Sequence, residues 1–341
     1  MHEALGRAAV AVAVICALAT AGCGDEEGTS GGSGGGKSER LEIAFLPGVV
    51  ANPYFKAEIE AMKEVSKAEN VNLTVIDSGL DANKQAQQLQ DLASAGKHDG
   101  ILIVPLSGAA LVPAAKQALD SDISVGAVDV PLGPDSTSTE AQVPGQAVFS
   151  GRPFSKQGEN LGMLTVEACA GAGPCRVAFM YGVKASVYDQ VLYDGFKRGI
   201  SSAPNVEVVA EAEGGYTREG GLKATQNLIQ ANKDLDVIVT VDQSGLGAES
   251  ALKAAELEDE VKIIGFGGAR QAIDAVKAGR WFGDSVQVPR TEARLAIEGV
   301  IAAIRENRVT GYVDPVKEAG APDDGRVTRE NAARFRPEYD G

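Results

Sequence analysis

The sequence predicts an α/β protein of two doubly wound lobes, each a parallel sheet covered by helices on both faces. Three observations point to this. Short β-branched runs alternate with segments of helical period. The alternation stops and restarts near the middle of the chain. About 300 residues follow an N-terminal leader, a length suited to two domains, and an apolar content of 44% supplies two cores.

At the N-terminus, Arg7 precedes an unbroken apolar run, Ala8 to Ala19, and the stretch ends in Thr20-Ala21-Gly22-Cys23. The run is too short for the roughly 20 residues of a membrane-spanning helix, so residues 1–22 are expected to be a cleaved export signal. The tetrapeptide resembles the lipobox of bacterial lipoproteins, with Thr20 where Leu is usual, which implies that Cys23 is acylated and becomes the first mature residue. Residues 24–38 contain no large apolar side chain. Residues 23–39 are therefore expected to form a lipidated cysteine with a flexible Gly/Ser tether. Of the four cysteines, Cys16 leaves with the signal and Cys23 takes the lipid. Cys169 and Cys175 remain, separated by Ala-Gly-Ala-Gly-Pro, and an oxidising compartment favours a disulfide between them.

In the first half, Leu41–Leu46 reads as a strand, followed by a helix that places Phe55, Ile59, Met62 and Val65 on one face. Strands at 73–76, 101–104 and 125–128 follow, separated by helices carrying Leu89 and Leu92, then Leu111, Ala115 and Ala118. The second half opens with a helix near Leu161 and continues with strands at 177–180, 206–210, 237–240 and 261–266. A further strand is expected from Phe282 to Val288. Trp281 precedes it at the amino end and is expected to pack in the core.

Ligands of such sheets sit beyond the carboxyl ends of the strands. Those positions hold Asn52, Tyr54 and Phe55 after the first strand, Asp129 after the fourth, then Tyr188, Asp189 and Gln190, Tyr216, and Asp242 with Gln243. Carboxylates accept hydrogen bonds from hydroxyls, amides both donate and accept, and aromatic faces cover the C–H side of a ring. Each residue alone also fits a helix cap or a hinge filler. Their convergence on one predicted cleft suggests a pocket for a sugar-like molecule.

At these residues the chain resembles the type I periplasmic binding proteins of the ribose and simple-sugar group, which serve ABC importers. The resemblance covers nearly all of residues 41–336. It rests on Asn52-Pro53-Tyr54-Phe55, Val128-Asp129, Asp194-Gly195-Phe196, Gly265-Phe266-Gly267-Gly268, Gln287-Val288-Pro289 and Val327-Thr328-Arg329-Glu330-Asn331. It implies two Rossmann-like lobes joined by a three-segment hinge, with residues 40–150 and 288–312 in the N-terminal lobe. The C-terminal lobe and tail would take 151–287 and 313–341. It further implies that Asn52, Tyr54, Phe55 and Gln287 contact the ligand, that Asp129 grips hydroxyls and that Tyr216 stacks on the ring. Asp242 falls where pentose-binding relatives carry Asn. Arg152, beside the first crossover, is a further candidate.

The departures point away from ribose itself: Val130 stands where ribose binders place Arg, Gln190 stands near their second Arg, and Gly267 replaces their Asp. Asp189-Gln190 resembles the pair in relatives that bind autoinducer-2 or deoxysugars, although Gly48 occupies the place of the lysine that autoinducer-2 binders use. The expected ligand is a monosaccharide, deoxysugar or polyol, delivered to a membrane permease by an envelope-anchored, monomeric lipoprotein. A sensor component feeding a signalling receptor is the alternative.

Other classes find little support. The net charge of −15 and the lack of clustered Lys and Arg argue against nucleic acid. A repressor sharing this core would carry a helix-turn-helix where the signal and tether stand. The two histidines, His2 and His98, lie in the signal and in a helix-to-strand turn, so neither is expected to serve the cleft as base or metal ligand. Gly31–Gly36 follows no strand and opens no helix, unlike a phosphate loop. No enzyme activity, cofactor or metal is expected.

Overall fold

The computed structural model describes residues 40–171 and 173–341; the expected export signal, lipidation site and tether lie outside the described residues. The chain runs β1 (Leu41–Leu46), α1 (Pro53–Ala68), β2 (Val71–Val75), α2 (Ala82–Ala95), β3 (Gly100–Ile103), α3 (Gly108–Asp120), β4 (Ser124–Asp129) and β5 (Val148–Gly151). It continues through α4 (Phe154–Ala168), β6 (Cys175–Tyr181), α5 (Val187–Ile200), β7 (Val206–Glu213), α6 (Arg218–Ala231), β8 (Val237–Val241), α7 (Asp242–Ala254), β9 (Lys262–Gly267), α8 (Arg270–Ala278) and β10 (Gly283–Val286). The last elements are α9 (Pro289–Glu306), β11 (Gly311–Val313), α10 (Pro315–Glu318) and β12 (Arg326–Thr328). These elements fall within one compact unit, Glu39–Gly341. Among the described residues no helix is long and apolar enough to cross a membrane.

Two six-stranded sheets result, ordered β11-β5-β4-β3-β1-β2 and β12-β10-β9-β8-β6-β7. Every pairing is parallel except that of β12 with β10. The chain passes between the sheets three times, after Gly151, after Val286 and after Val313. Both faces of the first sheet are buried, as a parallel sheet requires. Alternate residues of β1 divide between them: Ile43 and Phe45 join the cluster that includes Met62, Ile297 and Val300, whereas Ala44 and Leu46 join Leu89, Leu111 and Ala115.

Three strands have no counterpart in the sequence reading: β5, β11 and β12. They are three or four residues long, too short for a period of two to show. The strand read from Phe282 to Val288 ends at Val286, leaving Gln287 and Val288 to the second crossover. Cys169 ends α4 and Cys175 begins β6; their sulfurs are bonded, with Cα atoms 5.8 Å apart. Trp281 is buried, and its indole N–H donates to Glu249 Oε2 at 3.0 Å.

The crossovers are tied together by Arg152. Its guanidinium is buried and reaches Asp314 Oδ2 at 2.6 Å and Asp324 Oδ1 at 2.8 Å, and donates to the Asp324 carbonyl at 2.7 Å. The C-terminal tail returns across the sheets. Glu338 accepts from the backbone N–H of Thr291 at 2.9 Å in the first turn of α9, where the helix N-terminus favours a carboxylate. Beyond it, Tyr339 packs edge-on against Tyr54, with ring centroids 5.6 Å apart.

Candidate functional site

A cavity of about 480 Å³ lies where the carboxyl ends of β1, β3 and β4 meet those of β6, β8 and β9. Its lining includes Asn52, Tyr54, Phe55, Asp129, Asp189, Tyr216 and Gln287. A larger groove of about 780 Å³ runs along α1, α9 and the C-terminal tail. Its charges pair locally, Arg290 with Glu60 and Glu64 and Arg270 with Asp340, so it reads as a solvated outer surface.

Asn52 caps α1: its side chain accepts from the Tyr54 N–H at 2.8 Å, and Pro53 takes the first helical position. The cap orients Tyr54 and Phe55 at the cavity. Gly48 leaves room for the Phe55 ring, since a Cβ there would stand 2.9 Å from its Cζ. Gly48 therefore serves to seat an aromatic side chain.

Asp129 ends β4 in the left-handed region, with φ of 65°. A non-glycine residue there carries strain of the kind that gathers at functional sites. Its Oδ1 accepts from Gln287 Nε2 at 3.0 Å and from the Tyr54 hydroxyl at 3.4 Å. Burial pushes its pKa up to about 7, against the lowering effect of those two donors. The Tyr54 hydroxyl lies 2.6 Å from Glu292 Oε2 on α9, and Glu58, one turn along α1 from Tyr54, is fully buried with neither carboxylate oxygen hydrogen-bonded. Burial first, and neighbouring carboxylates second, raise Glu58 and Glu292 well above the ordinary range.

On the other wall, Asp189 is held rather than free. Its Oδ1 accepts from the Gly182 N–H at 2.8 Å and its Oδ2 from the Tyr216 hydroxyl at 2.7 Å. Tyr216 too has positive φ, 54°. Its ring lies over Gly182, where a Cβ would come within 2.1 Å of it, so this ring position requires glycine. Tyr188, from α5, spans the mouth: its hydroxyl accepts from the Gly108 N–H at 3.2 Å and donates to the Pro131 carbonyl at 3.4 Å.

Three candidates stand elsewhere. Gln190 turns back on its own loop, donating to the Lys184 carbonyl at 2.6 Å. Asp242 is fully buried behind the wall, where it accepts from the Ala269 N–H at 2.6 Å. Its pKa rises to about 6 through burial, and that of its neighbour Asp284 rises well above the ordinary range through burial and the Asp242 charge. The next residue, Gln243, lines the cavity instead, because both lie in the first turn of α7, where successive side chains point about 100° apart. Arg152 clamps the crossovers and does not reach the cavity.

Sequence reasoning placed Tyr188 at a strand end without assigning it a ligand contact, and left Tyr339, Phe154 and Phe266 out of the lining. Tyr188 had a signal, since it shares the strand-end segment with Asp189. Tyr339 had none, being brought in by the tail. Glu58 was legible as an acid on the buried stripe of α1, at helical spacing between Tyr54 and Met62.

Several relatives share this architecture. The chain is 22% identical over 267 residues to the ribose import binding protein of Bacillus subtilis, spanning 78% of this chain and 82% of the relative. It is 24% identical to the xylitol-binding protein of Mycolicibacterium smegmatis, spanning 92% and 83%. Its fold matches that of the Caulobacter myo-inositol binding protein bound to myo-inositol with a TM-score of 0.74, at 22% identity, covering 87% of this chain and 96% of that one. The family model of the periplasmic binding protein domain matches residues 43–308, and the chain belongs to that family.

Proposed function

We propose that this protein captures a small polyhydroxylated solute outside the cytoplasm and hands it to the permease of an ABC importer. The observation that carries this is the cavity itself, which sits at the carboxyl ends of two parallel sheets and takes walls from both. A ligand there bridges the two halves and so favours their closed arrangement, as a ligand with differential affinity must. The relatives named for ribose and xylitol, and the structure holding myo-inositol, support a sugar or polyol as the solute class.

In this reading the lobes comprise residues 40–150 with 288–312 and residues 151–287 with 313–341, moving about the three crossovers. Asn52, Tyr54, Phe55, Asp129, Asp189, Tyr216 and Gln287 form the ligand-contacting set. The N-terminal sequence supports a cleaved signal and a lipid on Cys23, which keeps the monomeric protein near its permease. A thermal-shift screen of residues 39–341 against pentoses, hexoses, deoxysugars, polyols and autoinducer-2 tests the proposal, because a ligand of the native state raises the melting temperature. A shift with one class is the expected result; no shift with any rejects a sugar or polyol as the solute.

A further inference from the structure

The cavity is lined by acidic side chains and by no basic one. Asp129 and Asp189 line it, whereas none of its lining residues is Lys, Arg or His. Glu58 and Glu292 lie behind one wall, and Asp242 and Asp284 behind the other, all buried. Of the basic side chains that adjoin the lining in sequence, Arg152 pairs with Asp314 and Asp324, Lys184 with Glu211 and Arg290 with Glu60 and Glu64, while Arg218 is exposed and outside the lining.

Within this setting the two lining carboxylates differ. Asp189 has both oxygens occupied. Asp129 accepts on Oδ1 alone, from Gln287 and Tyr54, and its Oδ2 takes no hydrogen bond from a described residue. The residue is 7% exposed and opens on the cavity. The rings of Phe55, Phe154, Tyr188, Tyr216 and Phe266 line the same cavity.

A neutral polyol closing this site would strip water from Asp129 and either leave its charge unbalanced or force the carboxyl to take up a proton. A ligand ammonium would instead pair with Oδ2 through a charge-assisted hydrogen bond, among aromatic rings suited to a cation. Resting on the solute-capture reading above, we infer that the ligand carries an amino group: an amino sugar or an amino-polyol, held with its ammonium at Asp129.

Calorimetric titration of residues 39–341 at pH 7.5 with matched pairs tests this: glucosamine and glucose, galactosamine and galactose, glucamine and sorbitol. The amino member of at least one pair is expected to bind roughly 10- to 100-fold more tightly than its neutral partner. Asp129→Asn, which keeps the side-chain volume, should abolish that preference while the variant retains the wild-type circular dichroism spectrum. Preference for the neutral members, or an amino preference that survives Asp129→Asn, overturns the charge inference and leaves solute capture standing. Failure of every compound to bind the folded protein overturns both.

Discussion

Lowering the pH from 8 to 5 should stabilise this protein, and the reason lies in its buried acids. Asp129 ionises at about 7 in the folded chain against an ordinary value of 3.8, and Asp242 at about 6, each because burial disfavours its charge. Asp129 is faced by Tyr54 and Glu58 of α1, Glu292 of α9 and Gln287 of the second crossover, with Tyr188, Tyr216 and Tyr339 near its charge. None of these supplies a cation. Between its unfolded and folded pKa values the native state binds more protons than the unfolded one, so stability falls as pH rises through that window. From pH 5 to pH 8 Asp129 alone accounts for about 3 kcal/mol, and the other buried acids act in the same direction. For a chain of this size that corresponds to roughly 5 °C in melting temperature. Surface ion pairs do not mask the effect, because carboxylates with ordinary or lowered pKa values stay ionised above pH 5. Urea unfolding at pH 5, 6, 7 and 8 and constant ionic strength, followed by the fluorescence of Trp281, the sole tryptophan, measures it. Asp129→Asn should flatten the slope, and asparagine accepts the left-handed backbone at this position. Stability that is constant or rising from pH 5 to 8 would refute the argument.

Three other substitutions probe separate parts of the structure. Tyr188→Phe removes the hydroxyl that bridges Gly108 and Pro131; losing about 1 kcal/mol of closed-state hydrogen bonding should weaken ligand affinity several-fold and leave the melting temperature nearly unchanged. Arg152→Ala leaves Asp314 without its cation and Asp324 with Lys156 alone, and should cost about 2 kcal/mol of stability in denaturant titration, whereas a large loss of affinity with full stability would return Arg152 to the ligand site. Replacing both Cys169 and Cys175 by Ser opens a loop with a sequence separation of 6 and should cost about 2 kcal/mol, read as a lower urea midpoint; equal midpoints would show that the bond does not restrain the unfolded chain.

Much of the architecture was legible in the chain because its cues are local. β1 spells its burial on both faces in six residues, and Asn52-Pro53 announces the start of α1 by cap chemistry alone. Strand ends could be located, so Asp129, Asp189 and Tyr216 were found by position. The failures lie where one residue of error turns a side chain around. Asp242 and Gln243 are adjacent, yet only Gln243 lines the cavity, because successive residues of the first turn of α7 point about 100° apart. Gln190 follows Asp189 in the same helix and points to its own loop.

The sequence by itself determined that alternating strands and helices would form two parallel sheets, and that polar and aromatic side chains would gather at the strand ends. Only the tertiary structure decided which carboxylates share a wall without a cation. Glu58, Asp129 and Glu292 lie far apart in the chain and meet around one tyrosine hydroxyl. Burial and charge proximity are properties of space rather than of sequence order. The same holds for Tyr339, which the tail carries to the cavity from near the end of the chain.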